Sequence, residues 1–316
     1  MHSKRRILIV EPFYGGSHKQ FLDTLQTLAV DYDQVLAKKW HWRARTSSLY
    51  FSQTIPRSDS SISVLPLSDL LALRPDLARI PRKIIYFHEN QLAYPVQVTK
   101  QRDFQYGYNQ ILSCLVADEV IFNSDYNRYS FLQNIRPFIK IMPDGRPPNL
   151  DELIRSIEHK SRVLYYPIKF CNIPLMHSRT REKSILHIIW THRWEHDKNP
   201  ESFFRILFKL KEEKVKFKVS LLGESFLGSP AIFEEAKEKL SDEIEHYGYA
   251  ESKDDYYHIL STANVVISTA NHEFFGVSML EAAYCGCYPL CPIRLVYPEL
   301  FPSKNIFNIP KKWPLI

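Results

Sequence analysis

Short apolar, β-branched runs alternate along this chain with longer stretches whose apolar residues recur at helical spacing. In the first half, residues 7–10, 83–87 and 119–123 read as strands, and residues 19–28 and 106–117 as amphipathic helices. In the second half, strand-like runs at 185–190, 217–223 and 265–267 alternate with helical stretches at 200–211, about 231–240, 255–263 and 277–284, and residues 246–249 form a short strand end. Alternation of this kind predicts βαβ units around parallel sheets, hence an α/β chain of two Rossmann-like domains. The polar, basic stretch from His177 to Lys183 separates the two series, so we expect domains at residues 1–168 and 185–316 joined by a linker at 169–184.

In such sheets, ligands bind in the loops beyond the carboxyl ends of the strands, and the candidate residues fall there. After the first strand, Glu11-Pro-Phe-Tyr-Gly-Gly-Ser-His18 leads into a helix, and Gly15 and Gly16 let the backbone approach a phosphate or a sugar. The pair is not a dinucleotide-binding glycine pattern. After the run at 83–87 comes His88, which shares its end of the sheet with the glycine turn and is a candidate site residue for that reason. Asn123-Ser124, after the next strand, has ordinary helix N-cap chemistry. In the second half, Arg193 and Lys198 follow a strand directly and are placed to neutralise a diphosphate.

The densest constellation runs from Asn264 to Gly286. A strand leads through a polar turn to Gly276, which opens the helix at 277–284, and free N–H groups around Phe275, Gly276 and Val277 make an anion site. Glu273 stands just before this helix and Glu281 inside it. A carboxylate beside a phosphate site makes sense when the ligand also carries hydroxyls. The residues alone also allow Glu273 as a helix-dipole partner and Glu281 as a surface acid.

Composition excludes several classes. With 45% hydrophobic and 24% charged residues the chain is not disordered. No apolar run approaches the roughly 20 residues that span a bilayer, and none after Lys4-Arg5-Arg6 is long enough for a secretory signal. Five cysteines fit reduced thiols in a cytosolic or nuclear protein, and Cys285, Cys287 and Cys291 lack zinc-site spacing and read as packed small hydrophobes. The net charge of +6 lies wholly in residues 1–168, which hold 22 Lys and Arg against 16 Asp and Glu, whereas residues 169–316 hold 19 of each. Within that half, Lys38, Lys39, Trp40, Trp42, Arg43 and Arg45 put cations beside stacking rings, a pattern suited either to nucleic acid or to a helix with buried tryptophans. Asp31-Tyr-Asp33 spells D-x-D in a polar stretch read as a loop, and we expect no metal.

The segment Glu-Phe-Phe-Gly-Val-Ser-Met-Leu-Glu-Ala from Glu273 resembles the signature of retaining, nucleotide-sugar-dependent glycosyltransferases of the two-domain B fold. That resemblance implies two domains facing a central cleft. It gives Glu273 the donor sugar hydroxyls, Glu281 the ribose hydroxyls, and Arg193 and Lys198, with four residues between them, the diphosphate. It also implies a front-side transfer through an oxocarbenium-like state with no enzymatic nucleophile. Phe13-Tyr-Gly-Gly-Ser-His-Lys, Phe87-His-Glu-Asn-Gln-Leu, Phe104-Gln-Tyr-Gly-Tyr-Asn-Gln and His192-Arg-Trp-Glu-His-Asp-Lys are similar to one narrow subfamily, the tRNA-queuosine α-mannosyltransferases. The implied reaction carries mannose from GDP-mannose to queuosine at the wobble position of tRNA-Asp. Such enzymes continue through further C-terminal helices, which this chain, ending soon after Phe301, is expected to lack. Two other readings stay open on the residues: a sugar-nucleotide isomerase, and a non-catalytic RNA-binding protein on the same fold.

Overall fold

The computed structural model describes residues 7–26, 31–36, 40–55, 61–63, 67–94, 103–170, 185–225 and 229–307. Contacts divide the chain into two units, residues 1–169 and 170–316. Residues 171–184, most of the expected linker, lie outside the described residues, as do Lys38 and Lys39.

The first unit is a parallel six-stranded sheet in the order β2-β1-β3-β4-β5-β6. Its strands are β1 (Ile7–Tyr14), β2 (Asp31–Leu36), β3 (Ser61–Ser63), β4 (Lys83–Phe87), β5 (Glu119–Phe122) and β6 (Ser161–Val163). The helices are α1 (Gly16–Gln26), α2 (Trp40–Thr54), α3 (Leu67–Leu73), α4 (Pro75–Ala78), α5 (Phe104–Val116), α6 (Asp125–Ile139) and α7 (Leu150–His159). In α6, Phe131, Ile135 and Ile139 recur at four-residue spacing and are all buried. Phe131 closes a ring cluster with Phe87 and Phe122, centroids 5.1 and 5.5 Å away, and truncating such a side chain typically costs about 3–5 kcal/mol. Ser124 caps α6 by accepting the Asn127 N–H at 3.0 Å, as its sequence position predicts.

Two local expectations are corrected here. The first strand does not end at residue 10 but runs on through Glu11 and Pro12 to Tyr14, with a register shift against β2 between Glu11 and Tyr14. Asp31 and Asp33 lie in β2 and not in a loop, because backbone pairing with Leu8 and Val10 at the sheet edge outweighs their local polarity.

The second unit repeats the plan in the order β12-β11-β10-β7-β8-β9, again parallel. Its strands are β7 (Leu186–Trp190), β8 (Phe217–Leu222), β9 (Ile244–Gly248), β10 (Val265–Ile267), β11 (Tyr288–Pro292) and β12 (Ile306–Phe307). Helices α8 (Pro200–Glu212), α9 (Ile232–Lys239), α10 (Lys253–Thr262), α11 (Val277–Tyr284) and α12 (Tyr297–Leu300) cover it. Helix α8 begins where the sequence favours it, with Asn199 as N-cap and Pro200 in the first turn. It buries Phe203, Phe204 and Leu207 against Trp190 and Phe233. Strand β7 pairs with β8 on one side and β10 on the other, so the chain leaves β7 in one direction and later returns across it. That reversal is the switch point of the sheet, and the loops after β7 and β10 flank it. Among the described residues no helix is long and apolar enough to cross a membrane.

Candidate functional site

The two switch-point loops are tied together by backbone and side chain. The Asn271 N–H donates to the Asp197 carbonyl at 2.8 Å, and Thr269 Oγ1 donates to the Lys198 and Asn199 carbonyls at 3.0 and 2.9 Å. Lys198 occupies a short turn, His196–Lys198, and only 6% of it is exposed. Its ammonium donates to the His272 carbonyl at 2.8 Å and lies 3.2 Å from Asp197 Oδ2 and 3.4 Å from Glu273 Oε2. A buried Lys198 and a part-buried Glu273 thus form one ion pair joining the two loops.

Glu273 also braces the start of α11. Its Oε1 accepts the Gly276 N–H at 3.1 Å and the Phe275 N–H at 3.4 Å. Gly276 sits at φ 78°, where glycine carries no penalty, and a Cβ there would touch Tyr297 at 3.4 Å. Tyr297 is itself fixed by a 2.6 Å hydrogen bond with Ser268. Burial alone would raise the Glu273 carboxyl, but Lys198, His192 and the two N–H groups bring it down to about 2. Burial and the Lys198 charge push His192 and His272 down to about 4, so both are neutral at neutral pH.

Arg193 is half-exposed at the β7 end and pairs with Glu195 at 3.2 Å. Glu281 is not a surface acid. It is 3% exposed, and its Oε1 accepts from Lys253 Nζ at 2.7 Å and the Tyr257 hydroxyl at 3.0 Å, both on α10. Val277 opens α11, and Phe275 before it is buried. The structure therefore brings Lys198, Glu273, Phe275 and Gly276 into one contiguous site. Arg193 follows the adjoining strand, and Glu281 lies farther along α11, held from α10.

In the first unit, Gly16 begins α1 at φ 52°, with open space where a Cβ would stand. His88 lies beyond β4, its ring 3.9 Å from that of His18. Glu11, His18 and His88 bring potential ligand atoms within 4.8 Å of one another. In α2, Trp42 is 67% exposed and so is no core residue, while Arg43 lies over the Tyr50 ring at 5.9 Å. Arg45 is engaged within the unit, 4.7 Å from the Tyr106 ring centroid and 3.8 Å from Asp103. Trp40 opens α2.

Several residues of these sites escaped the sequence reading. Asp197, His192, Lys253 and Tyr257 matter through partners distant in the chain. Glu11 and His18 stood in a segment read as a loop. Glu11 and His18 are seven residues apart, and only the strand-to-helix turn brings them together.

The fold is that of a two-domain glycosyltransferase of the B fold. Among solved structures, sucrose-phosphate synthase from Thermosynechococcus elongatus superposes with a TM-score of 0.62 at 13% identity, covering 93% of this chain and 82% of that one. TarM matches with a TM-score of 0.54 at 16% identity over 84% of this chain, which spans 48% of TarM. At these identities the likeness is one of fold. Residues 6–168 match the family described as tRNA-queuosine alpha-mannosyltransferase N-terminal, and residues 178–304 match glycosyl transferases group 1. A tRNA-queuosine alpha-mannosyltransferase from Drosophila melanogaster is 49% identical over 322 aligned residues, covering 97% of this chain and 84% of the relative. The chain belongs to the tRNA-queuosine α-mannosyltransferase family.

Proposed function

We propose that this chain transfers mannose from GDP-mannose, with retention, to the cyclopentenediol of queuosine at the wobble position of tRNA-Asp. The observation that carries this reading is the Lys198–Glu273 pair at the mouth of α11, where a cation and a carboxylate meet at a helix N-terminus. A diphosphate meets Lys198, Arg193 and the positive end of α11 at Val277, and these groups stabilise the charge that develops as the glycosidic bond breaks. The Phe275 and Gly276 N–H groups are taken by Glu273 rather than left free as the sequence suggests. Glu273 accepts from the sugar hydroxyls, and Glu281 is the acid for the ribose. In the first unit, Gly15, Gly16 and His88 are the proposed substrate-facing residues, at the carboxyl end of its own sheet. Lys38, Lys39 and Arg43 serve tRNA phosphates, and Trp40 and Trp42 offer rings to unpaired bases. Arg45, already engaged with Tyr106 and Asp103, braces that surface from behind. Transfer of this kind needs no metal.

Incubation with GDP-mannose and queuosine-containing tRNA tests the proposal. Mannosylated tRNA is the expected product. Turnover of the sugar nucleotide without acceptor would favour an isomerase, and tRNA binding with an intact donor would favour a non-catalytic RNA-binding role.

The two acids divide the donor between them, which calorimetry can read. Glu281→Gln is expected to weaken GDP and GDP-mannose alike, because ribose is common to both. Glu273→Gln is expected to weaken GDP-mannose more than GDP, by the equivalent of a charged hydrogen bond, about 10–100-fold. Equal losses for both ligands in both variants would refute the division.

A further inference from the structure

A buried acid and two histidines meet at the carboxyl end of the first unit's sheet, and the reaction as proposed uses only His88. Glu11, 9% exposed, is held at both oxygens: Oε1 accepts the Phe13 N–H at 2.7 Å, and Oε2 lies 3.1 Å from His18 Nδ1. His18 comes from the first turn of α1, and its ring covers that of His88 at 3.9 Å with planes 31° apart. Phe21, Tyr86 and Tyr166 pack around His88, with centroids at 5.2, 4.9 and 5.9 Å. Its backbone carbonyl is fixed by Asn123 Nδ2 at 2.8 Å, and Asn123 is in turn bonded to Asn127. Yet neither ring nitrogen of His88 has a hydrogen-bond partner among the described residues. A polar ring so closely positioned and left open is built to meet something other than protein.

Two stacked imidazoles cannot both be protonated at this separation without like-charge repulsion. The Glu11 carboxylate, placed against His18 Nδ1, decides which of them carries the charge. We propose that Glu11 and His18 are a positioning pair: they keep the proton on His18, and His88 then presents a neutral ring nitrogen that accepts a hydrogen bond from a substrate hydroxyl. The assignment of that hydroxyl to the substrate rests on the transferase reading above. Glu11 from β1, His18 from α1, Tyr86 from β4, Glu89 just beyond it and Tyr166 after β6 are the titratable groups facing the pair. Burial would depress His18, but Glu11 and Glu89 carry it above the usual histidine value, while burial and the His18 charge hold His88 well below it.

The same three side chains raise a divalent cation as an alternative occupant. The stack argues against it. Two imidazoles bound to one tetrahedral ion, with bonds of about 2.0–2.1 Å, hold their centroids about 5 Å apart, well beyond the 3.9 Å seen.

Proton NMR of the His88 ring across the acid-to-neutral range tests the proposal, alongside the pH dependence of kcat/KM. Glu11→Gln keeps an acceptor for the Phe13 N–H and removes only the charge. His18→Phe keeps a stacked ring that cannot be protonated. In both variants the His88 midpoint is expected to rise by about one pH unit, and the acid limb of kcat/KM to rise with it. Glu11→Asp should restore part of the wild-type profile, which a merely structural role would not predict. His88→Ala should lower kcat about 100-fold or more. An unchanged His88 midpoint in either variant that retains its fold by thermal melting overturns the proposal. So does uptake of one Zn²⁺ per chain, by calorimetry, that Glu11→Gln abolishes. A shifted midpoint in a chain that transfers no sugar would instead sustain the pair and sink the substrate assignment.

Discussion

Lys198→Met is expected to abolish sugar transfer and to destabilise the second unit by about 3–5 kcal/mol, the usual consequence of removing one partner from a buried ion pair. Methionine matches the aliphatic stem and leaves Asp197 and Glu273 facing each other without a cation. The loss has a pH signature. The Glu273 carboxyl stands at about 2 in the folded chain, below its ordinary value of 4.5, chiefly because Lys198 outweighs burial. A carboxyl depressed in this way contributes stability above its unfolded value and loses that contribution as the pH falls through its folded one. The stability gap between wild type and Lys198→Met should therefore be widest near neutrality and should close between about pH 4.5 and about pH 2. Urea unfolding at a series of pH values measures it. A gap that stays constant over that window would mean that Lys198 does not hold Glu273 in its charged form. Turnover should fall by at least the 10²–10³-fold typical of a lost charge-stabilising donor, roughly, even where the variant is folded.

Gly223→Ala should be nearly as damaging, for a steric reason. Gly223 directly follows β8 at φ 150°, and a Cβ there would lie 2.0 Å from the His192 carbonyl oxygen and 3.1 Å from the Trp194 ring. The neighbour is backbone, so the loop carrying His192 and Arg193 must move. We expect a loss of about 3 kcal/mol or more and, because a displacement near 1 Å can misplace a reacting group, about 100-fold in turnover. Gly248→Ala is the control: it has a positive φ of 117° and nothing within 4 Å of the added atom. Thermal melting and GDP calorimetry on both variants decide the matter. Equal effects in the two would show that the His192 carbonyl yields easily.

How far the sequence carried this picture depended on the range of the interactions. The strand, turn and helix around Glu273 and Glu281 were legible because each is encoded locally, by a β-branched run, a turn glycine and helical spacing. The same holds for Ser124 at the start of α6, whose N-cap bond spans three residues. What could not be read were the partners. Lys198 and Glu273 are 75 residues apart, and Lys253 and Glu281 are 28, so the pairing of both acids depends on how strands order themselves in the sheet. On the residues alone a surface acid at 281 therefore stayed open, although Glu281 proves to be among the most buried charges of the unit. Glu11 was obscured differently. Pro12 and the glycines that follow Tyr14 signal a loop, but pairing with β2 carries the strand past Pro12 to Tyr14. Trp42 shows the converse, since two tryptophans in a helical stretch suggest a core and this ring faces outward.

The stitching of the two switch-point loops, Asn271 to Asp197 and Thr269 to Lys198 and Asn199, has a consequence for affinity. Ordering a free loop around a ligand costs conformational entropy, about 1–2 kcal/mol for each backbone residue fixed. Here that ordering is completed during folding, by bonds between the loops themselves, and none of it is charged against the ligand. On the function proposed above, the phosphate end of the donor thus meets a preorganised cradle. Discrimination between nucleotides then falls to whichever contacts distinguish one from another, and the cradle holds its shape between turnovers.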